Sequence, residues 1–433
     1  MMGNGFRRLQ SQSPLQWRKA GPFGIDTACL HCVLECRSAQ GKARVVQPTL
    51  RLASKAMILL GLSLVSGADV SCAETPQPAA SLHQTTEWQI SPSFKFDVLC
   101  SLNILSGDPF YLDYYKDDYA QLSSGFTAEA RAALTDLKLQ VKGKNRKIIS
   151  AFLTLYFSAT DDETLEDMLR TLKDSTRMQE NLKQTPYYSD AEWHLYASVR
   201  GDLRTIFNYL KNTGFDLYWK ENILPREQHK IEEIERDLPK YNIIPDIEKL
   251  LGHALPSNRI IVYMLYYSQP HGIKITGTRF LTDQAWPFQI VLRNAVHEMM
   301  HPPFDLARDR ELRQTLAMLK TDPFLIDKVR NHNPDWGYNS FDGFIEEDCV
   351  QALEQIINEK LHVQGEARKR WKETDEGMHV FAVALYSVMQ EENFYDRREP
   401  FRNFLIRTIR SGRLGPGNLR VIYDKFYSGT TGR

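Results

Sequence analysis

Val296-His297-Glu298-Met299-Met300-His301-Pro302 is an H-E-x-x-H sequence near the end of an apolar helical pattern. Two histidines four apart on a helix lie about one turn apart on one face, so both imidazoles reach one metal ion. Glu298, beside the first histidine, then overhangs the same ion and can take a proton from a metal-activated water. With 11 histidines in 433 residues, chance alone gives such a motif in roughly one or two chains per hundred. A working site needs more: a third ligand, a shelf for substrate, and a fold that brings them together.

The shelf is sought just upstream. Residues 258–267 are rich in β-branched and aromatic side chains, and Ser268-Gln269-Pro270-His271-Gly272 is a turn signal. Residues 273–282 alternate as a half-buried strand does, so the two runs together predict a β-hairpin. The motif helix starts near Pro287 and Phe288, turns Ile290, Val291, Ala295, Val296 and Met299 inward, and ends at Pro302-Pro303.

The third ligand is sought downstream, on an amphipathic helix predicted over residues 342–361. Catalytic zinc takes three protein ligands and keeps a fourth position for water. Glu346 shares a face with Val350, Leu353 and Ile357, where a carboxylate would be buried among aliphatics and costly unless it binds the metal. Glu347 shares a face with Gln351 and Glu354, and Gln351 is placed to hold a ligand histidine. Helical spacing leaves both carboxylates open.

An H-E-M-M-H helix after a strand, followed by a glutamate on a later helix, resembles the zincin metallopeptidases of the glutamate-ligand type, the gluzincins. The resemblance covers roughly residues 258–361. It implies that His297, His301 and a later glutamate bind Zn2+, that Glu298 is the general base, and that the substrate is a peptide or protein. A polar residue one turn after the ligand glutamate often steadies a histidine in that group, which favours Glu347 with Gln351. The step from His301 to Glu347 is longer than in the commonest members. The implied chemistry is metal-assisted amide hydrolysis, with the strand at 273–282 as the edge that pairs with an extended peptide. It also requires a donor for the oxyanion; His379, Tyr338 and Tyr386 are the candidates.

Away from this region the pattern is helical. Runs at residues 111–122, 127–141, 146–158, 162–173 and 191–211 carry leucines and aromatics three or four apart, between loops rich in Gly, Ser, Asp or Asn. Phe110, Tyr111, Tyr114 and Tyr115 could line a groove, although aromatics at helical spacing more often belong to a core. The expected fold is mainly α with a small β-sheet (α+β): a zincin-like core over residues 241–433 behind a helical lobe at 93–240. Residues 74–92 read as a flexible lead, because Pro, Ser, Thr and Gln dominate up to residue 89.

Residues 51–73 read as an export signal. Arg51 and Lys55 flank an apolar run at 56–68, and Ser71-Cys72-Ala73 supplies small residues for cleavage after Ala73. The chain is thus expected to be periplasmic or secreted, with no stable membrane insertion after cleavage. Cys29, His31, Cys32 and Cys36 precede that signal and lack the second ligand pair of a zinc module. Beyond the signal only Cys100 and Cys349 remain, free to form one bridge or two buried thiols. Residues 1–73 hold nine Lys/Arg and three Asp/Glu out of 54 of each, leaving 45 basic and 51 acidic residues in the body. A mildly acidic body has no basic footprint for nucleic acid.

Two classes of function remain on the sequence: an exported zinc peptidase, or an exported helical binding protein with a non-catalytic or structural metal site. The intact Glu298 favours the first, since a structural site has no use for a base. Structural zinc sites also usually draw on cysteines, and none accompanies this motif.

Overall fold

The computed structural model describes residues 82–332, 338–363, 365–397 and 399–429. The reading of an export signal and the Cys29–Cys36 cluster lie outside these residues, as does Trp336. Among the described residues no helix is long and apolar enough to cross a membrane.

The chain is mainly helical with one small sheet. A first strand, β1 (Glu87–Ser91), leads into α1 (Phe94–Leu105), α2 (Pro109–Ser123), α3 (Ala128–Lys138), α4 (Ile149–Phe157) and α5 (Leu165–Lys173). Next come α6 (Thr176–Lys183), α7 (Asp190–Asn212), α8 (Phe215–Tyr218), α9 (Leu224–Ile234) and α10 (Ile244–Leu251). Three strands follow: β2 (Arg259–Leu265), β3 (Ile273–Ile275) and β4 (Arg279–Asp283). The C-terminal half is α11 (Phe288–Met299), α12 (Arg310–Met318), α13 (Pro323–Asn331) and α14 (Phe341–Lys360). It closes with α15 (Ala367–Glu373), α16 (Val380–Glu391), α17 (Phe401–Arg410) and α18 (Asn418–Ser428).

Two sequence expectations about the sheet are corrected. The strands at 258–267 and 273–282 do not form a hairpin with each other. Instead β2 runs parallel to β4, and the hairpin lies inside the second run, where β3 and β4 pair antiparallel with Ile273 opposite Leu281. Gly277, at φ +71°, makes the turn between them. That conformation is open to glycine at little cost, and it breaks what reads as one continuous alternation. The supposed flexible lead also contains β1, which pairs in parallel with β2, Ile90 opposite Val262.

The strand order is β1-β2-β4-β3, so of the run expected as one edge strand at 273–282 only β3 lies on the edge, while β4 is internal between β2 and β3. The sheet separates two apolar cores. Alternate side chains Ile260, Val262, Met264 and Phe280 join the C-terminal helices, while Leu265, Ile273, Ile275 and Leu281 join the helices of the N-terminal lobe. Both faces are covered, which is why β2 reads as a near-continuous hydrophobic run. Cys100 on α1 and Cys349 on α14 are separately buried free thiols.

Candidate metal centre

His297 occupies the last turn of α11, a helix held down by Val291, Leu292, Ala295, Val296 and Met299. The regular helix stops at Met299, yet the chain keeps turning. The Met300 amide donates to the His297 carbonyl at 3.0 Å, and the His301 amide to the Glu298 carbonyl at 3.4 Å. Pro302 and Pro303 then end it, because neither has an amide to continue the ladder. His301 therefore stays one turn above His297, with ring centroids 4.9 Å apart.

Facing them is α14, capped by the Ser340 hydroxyl, which accepts from the Gly343 amide. This helix buries a polar stripe at three- and four-residue steps: Glu347, Gln351, Glu354 and Asn358. The spacing alternative is resolved by burial. Glu347 has a side chain only 1% exposed and points its Oε2 at both histidines, whereas the Glu346 side chain is 25% exposed and its Oε1 lies 3.3 Å from His301 Nδ1. Glu346 is thus not wedged among aliphatics, because α14 turns that edge toward a cleft.

Three atoms converge. His301 Nε2 is 3.1 Å from His297 Nε2, and Glu347 Oε2 is 3.7 Å from the first ring and 3.4 Å from the second. Each imidazole faces a carboxylate through its other nitrogen: His297 Nδ1 is 3.0 Å from Glu354 Oε2, and His301 Nδ1 is 3.3 Å from Glu346 Oε1. Protons drawn to Nδ1 leave both Nε2 atoms as lone pairs. Glu347 Oε2 is buried and accepts no hydrogen bond. Two imidazole lone pairs and a carboxylate oxygen aimed at one another repel unless a cation lies between them. Tetrahedral zinc with bonds of about 2.0–2.1 Å spaces its ligand atoms roughly 3.3–3.4 Å apart. His297, His301 and Glu347 fit that requirement and could hold a metal ion.

The shell around these atoms is tightly tied. Gln351 donates to Glu347 Oε1 at 2.8 Å and in turn accepts from Arg370. Burial opposes the charge of Glu347, but with no cation bound, protonated His297, His301 and His379 outweigh it and hold the carboxyl ionised, well below the usual carboxylate range. Glu354 receives Arg370 Nη2 at 2.8 Å and Asn358 Nδ2 at 2.7 Å. Its carboxyl is likewise held well below the usual range, against burial, by Arg370, His297 and Arg293. The expectation that Gln351 holds a histidine is therefore corrected: Gln351 orients the glutamate, and Glu354 holds His297. Glu354 stands two turns past Glu347 on the face already named, so its position was readable, though its partner was not.

Glu298 is buried beside the start of β3. A Cβ added to Gly272 would lie 3.1 Å from Glu298 Oε1 and 3.2 Å from Asn294 Nδ2, so the glycine lets the carboxylate lie against the strand. A narrow cleft opens here, lined by Gly272, Ile273 and Lys274 on one side and by His301, Glu346 and Glu347 on another. Tyr187, from the loop before α7, closes over the motif by donating to the His301 carbonyl at 3.3 Å. No local pattern signals that contact, which spans 114 positions.

Of the three candidate donors, only Tyr338 lines the cleft. His379 is buried, with Nδ1 2.7 Å from Asp348 Oδ1 and Nε2 2.9 Å from Asp375 Oδ2. Burial alone would lower its pKa, but these two carboxylates push it up to about 10. Both of its nitrogens are committed to the fold. Tyr386 donates its hydroxyl to Glu359 at 2.8 Å and packs on Trp371. Both are structural residues here, not donors to a substrate. Among the early aromatics, Tyr111 and Tyr115 are buried while Phe110 and Tyr114 are 44% exposed.

Comparison with protein-family models, curated proteins and solved structures returns no match for this chain.

Proposed function

We propose that this chain is a zinc-dependent hydrolase of the zincin type, an exported peptidase in which His297, His301 and Glu347 hold the metal and Glu298 is the general base. The observation that carries the reading is the convergence of two imidazole lone pairs and an unsatisfied buried carboxylate oxygen at the wall of a cleft. A closed structural site would have no such opening, and its neighbour Glu298 would need no approach to the edge strand.

Zinc at this point supplies Lewis acidity, which makes a water nucleophilic near neutral pH and polarises the carbonyl under attack. The residues do the rest. Glu298 accepts a proton from the attacking water and passes it to the departing amine nitrogen, so the amide bond breaks with protons balanced. Glu354 and Glu346 hold the imidazoles in the ligand tautomer. Tyr338 stands in the cleft wall with its hydroxyl buried, so it serves the oxygen that gains charge only where substrate uncovers it. The edge strand β3 carries an extended peptide past the metal.

The test is digestion of a peptide library by zinc-loaded wild type, Glu298→Gln and Tyr338→Phe. Wild type should cut, Glu298→Gln should cut nothing measurable, and Tyr338→Phe should slow turnover by roughly 10²-fold. A wild type that retains zinc yet cuts nothing beyond what Glu298→Gln cuts would leave the non-catalytic binding protein as the reading. N-terminal sequencing of the exported protein should begin at Glu74.

A further inference from the structure

The helical lobe reaches the metal centre through α4. Ile149, Phe152, Leu153, Tyr156 and Phe157 pack into the lobe's own core. Ala151, Leu155 and Ser158 follow one another at steps of four and three, which places them on a single face. Ser158, just past the helix end, grips the β3–β4 turn: its Oγ accepts from the Thr276 amide at 3.2 Å and its carbonyl from Arg279 Nη2 at 2.7 Å. One and two turns back, Leu155 and Ala151 wall the cleft that also touches His301 and Glu347. Leu155 is 9% exposed, yet it belongs to neither apolar core. Its hydrocarbon surface is therefore turned to the cleft.

The lobe's side of the cleft consists of Ala151, Leu155 and Tyr187, with no charged group among those described lining residues. A carboxylate or ammonium pressed against these three would lose water and find no charged partner among them. An apolar side chain would lose nothing and gain contact. The charged lining residues stand elsewhere: Glu346 and Glu347 on α14, and Lys274 on β3, whose ammonium donates to the Gly277 carbonyl at 2.7 Å.

We propose that α4 is the specificity wall of the peptidase described above, an inference that rests on that reading. The substrate residue flanking the scissile bond is apolar, and its side chain is received by Ala151 and Leu155. Ala151 leaves the space and Leu155 supplies the apolar contact. The helical lobe thus has a recognition role beyond buttressing the sheet.

Two readouts test it, one of them without turnover. In the first, zinc-loaded wild type, Ala151→Phe and Leu155→Ala digest the same peptide library. Wild type should favour leucine, methionine or phenylalanine over aspartate beside the cut bond by at least about tenfold. Ala151→Phe should lose at least about tenfold toward large apolar residues with its zinc content unchanged, and Leu155→Ala should shift preference toward bulkier ones. In the second, metal-free Glu298→Gln protein binds two labelled pentapeptides differing only in a central leucine or aspartate. The leucine peptide should bind at least about tenfold tighter. Equal binding, or one cleavage preference shared by all three proteins, overturns the α4 wall while the peptidase reading stands. If zinc-loaded wild type cuts nothing, that reading falls, and the binding experiment alone decides whether α4 recognises apolar side chains.

Discussion

Replacing Glu354 by glutamine keeps the shape of the side chain and removes its charge. In the wild type this carboxylate lies 3.0 Å from His297 Nδ1, 2.8 Å from Arg370 Nη2 and 2.7 Å from Asn358 Nδ2. Losing the charge weakens the preference for the His297 tautomer that offers Nε2 to the metal, and leaves Arg370 short of a partner in a buried setting. Changes to the group behind a ligand histidine commonly cost about 10–100-fold in metal affinity, or about 1.4–2.7 kcal/mol. Glu346, by contrast, is 25% exposed at the side chain and 3.3 Å from His301 Nδ1, so water can replace it. Glu346→Gln should therefore cost less than Glu354→Gln, about threefold or under. Competition with a chromophoric zinc chelator, run on both variants beside wild type, reads these affinities directly. Wild-type affinity in Glu354→Gln, or a larger loss in Glu346→Gln, would refute the assignment of Glu354 as the group that holds His297.

Two further outcomes follow from contacts away from the ligands. Asp97 on α1 and Glu227 on α9 both accept from the Tyr266 amide, at 3.1 and 2.8 Å, and Asp97 also takes Tyr267 N and Trp219 Nε1. Burial, reinforced by Asp97, holds Glu227 protonated far above the usual range, and burial pushes nearby Asp283 up to about 7. The unfolded chain releases the Glu227 proton near pH 4.3 while the folded chain keeps it, so stability from this group is full below that pH. It then falls with rising pH by up to about 1.4 kcal/mol per unit. Urea unfolding from about pH 5 to about pH 8 should show Glu227→Gln gaining steadily on wild type, and Asp283→Asn gaining only up to about pH 7; a pH-independent difference would refute the protonated acid. Gly272→Ala should keep its zinc and lose about three- to tenfold in kcat, because the new Cβ must displace Glu298 Oε1 or Asn294 by a few tenths of an ångström; unchanged kcat would mean that Glu298 does not act from that position.

Much of the helical architecture was readable because periodicity reports burial. The runs read at 191–211 and 342–361 correspond to α7 and α14 within a residue or so. The short α6 escaped notice, since its eight residues bury only Met178 and Leu182. The strand pairing is not legible in the sequence, for a physical reason. Alternation shows that a strand is half-buried but not which neighbour it pairs with, and Thr276-Gly277-Thr278 continues the alternation although glycine there makes the turn. β1 was hidden by the polar composition on its N-terminal side. At the site, the motif marked the two histidines that meet Glu347, while two adjacent glutamates on one helix could be separated only by burial, 1% against 25% at the side chain. His379 and Tyr386 had the right chemistry for donors, but Asp348, Asp375 and Glu359 already engage them.

The central claim is that His297, His301 and Glu347 form one zinc site in which Glu298 takes no part as a ligand. Zinc bound per chain, measured by elemental analysis after loading and gel filtration, tests it most directly. One equivalent should remain in wild type and in Glu298→Gln, and little or none in His297→Ala and Glu347→Ala. Full zinc content in His297→Ala or Glu347→Ala, in folded protein, would contradict it.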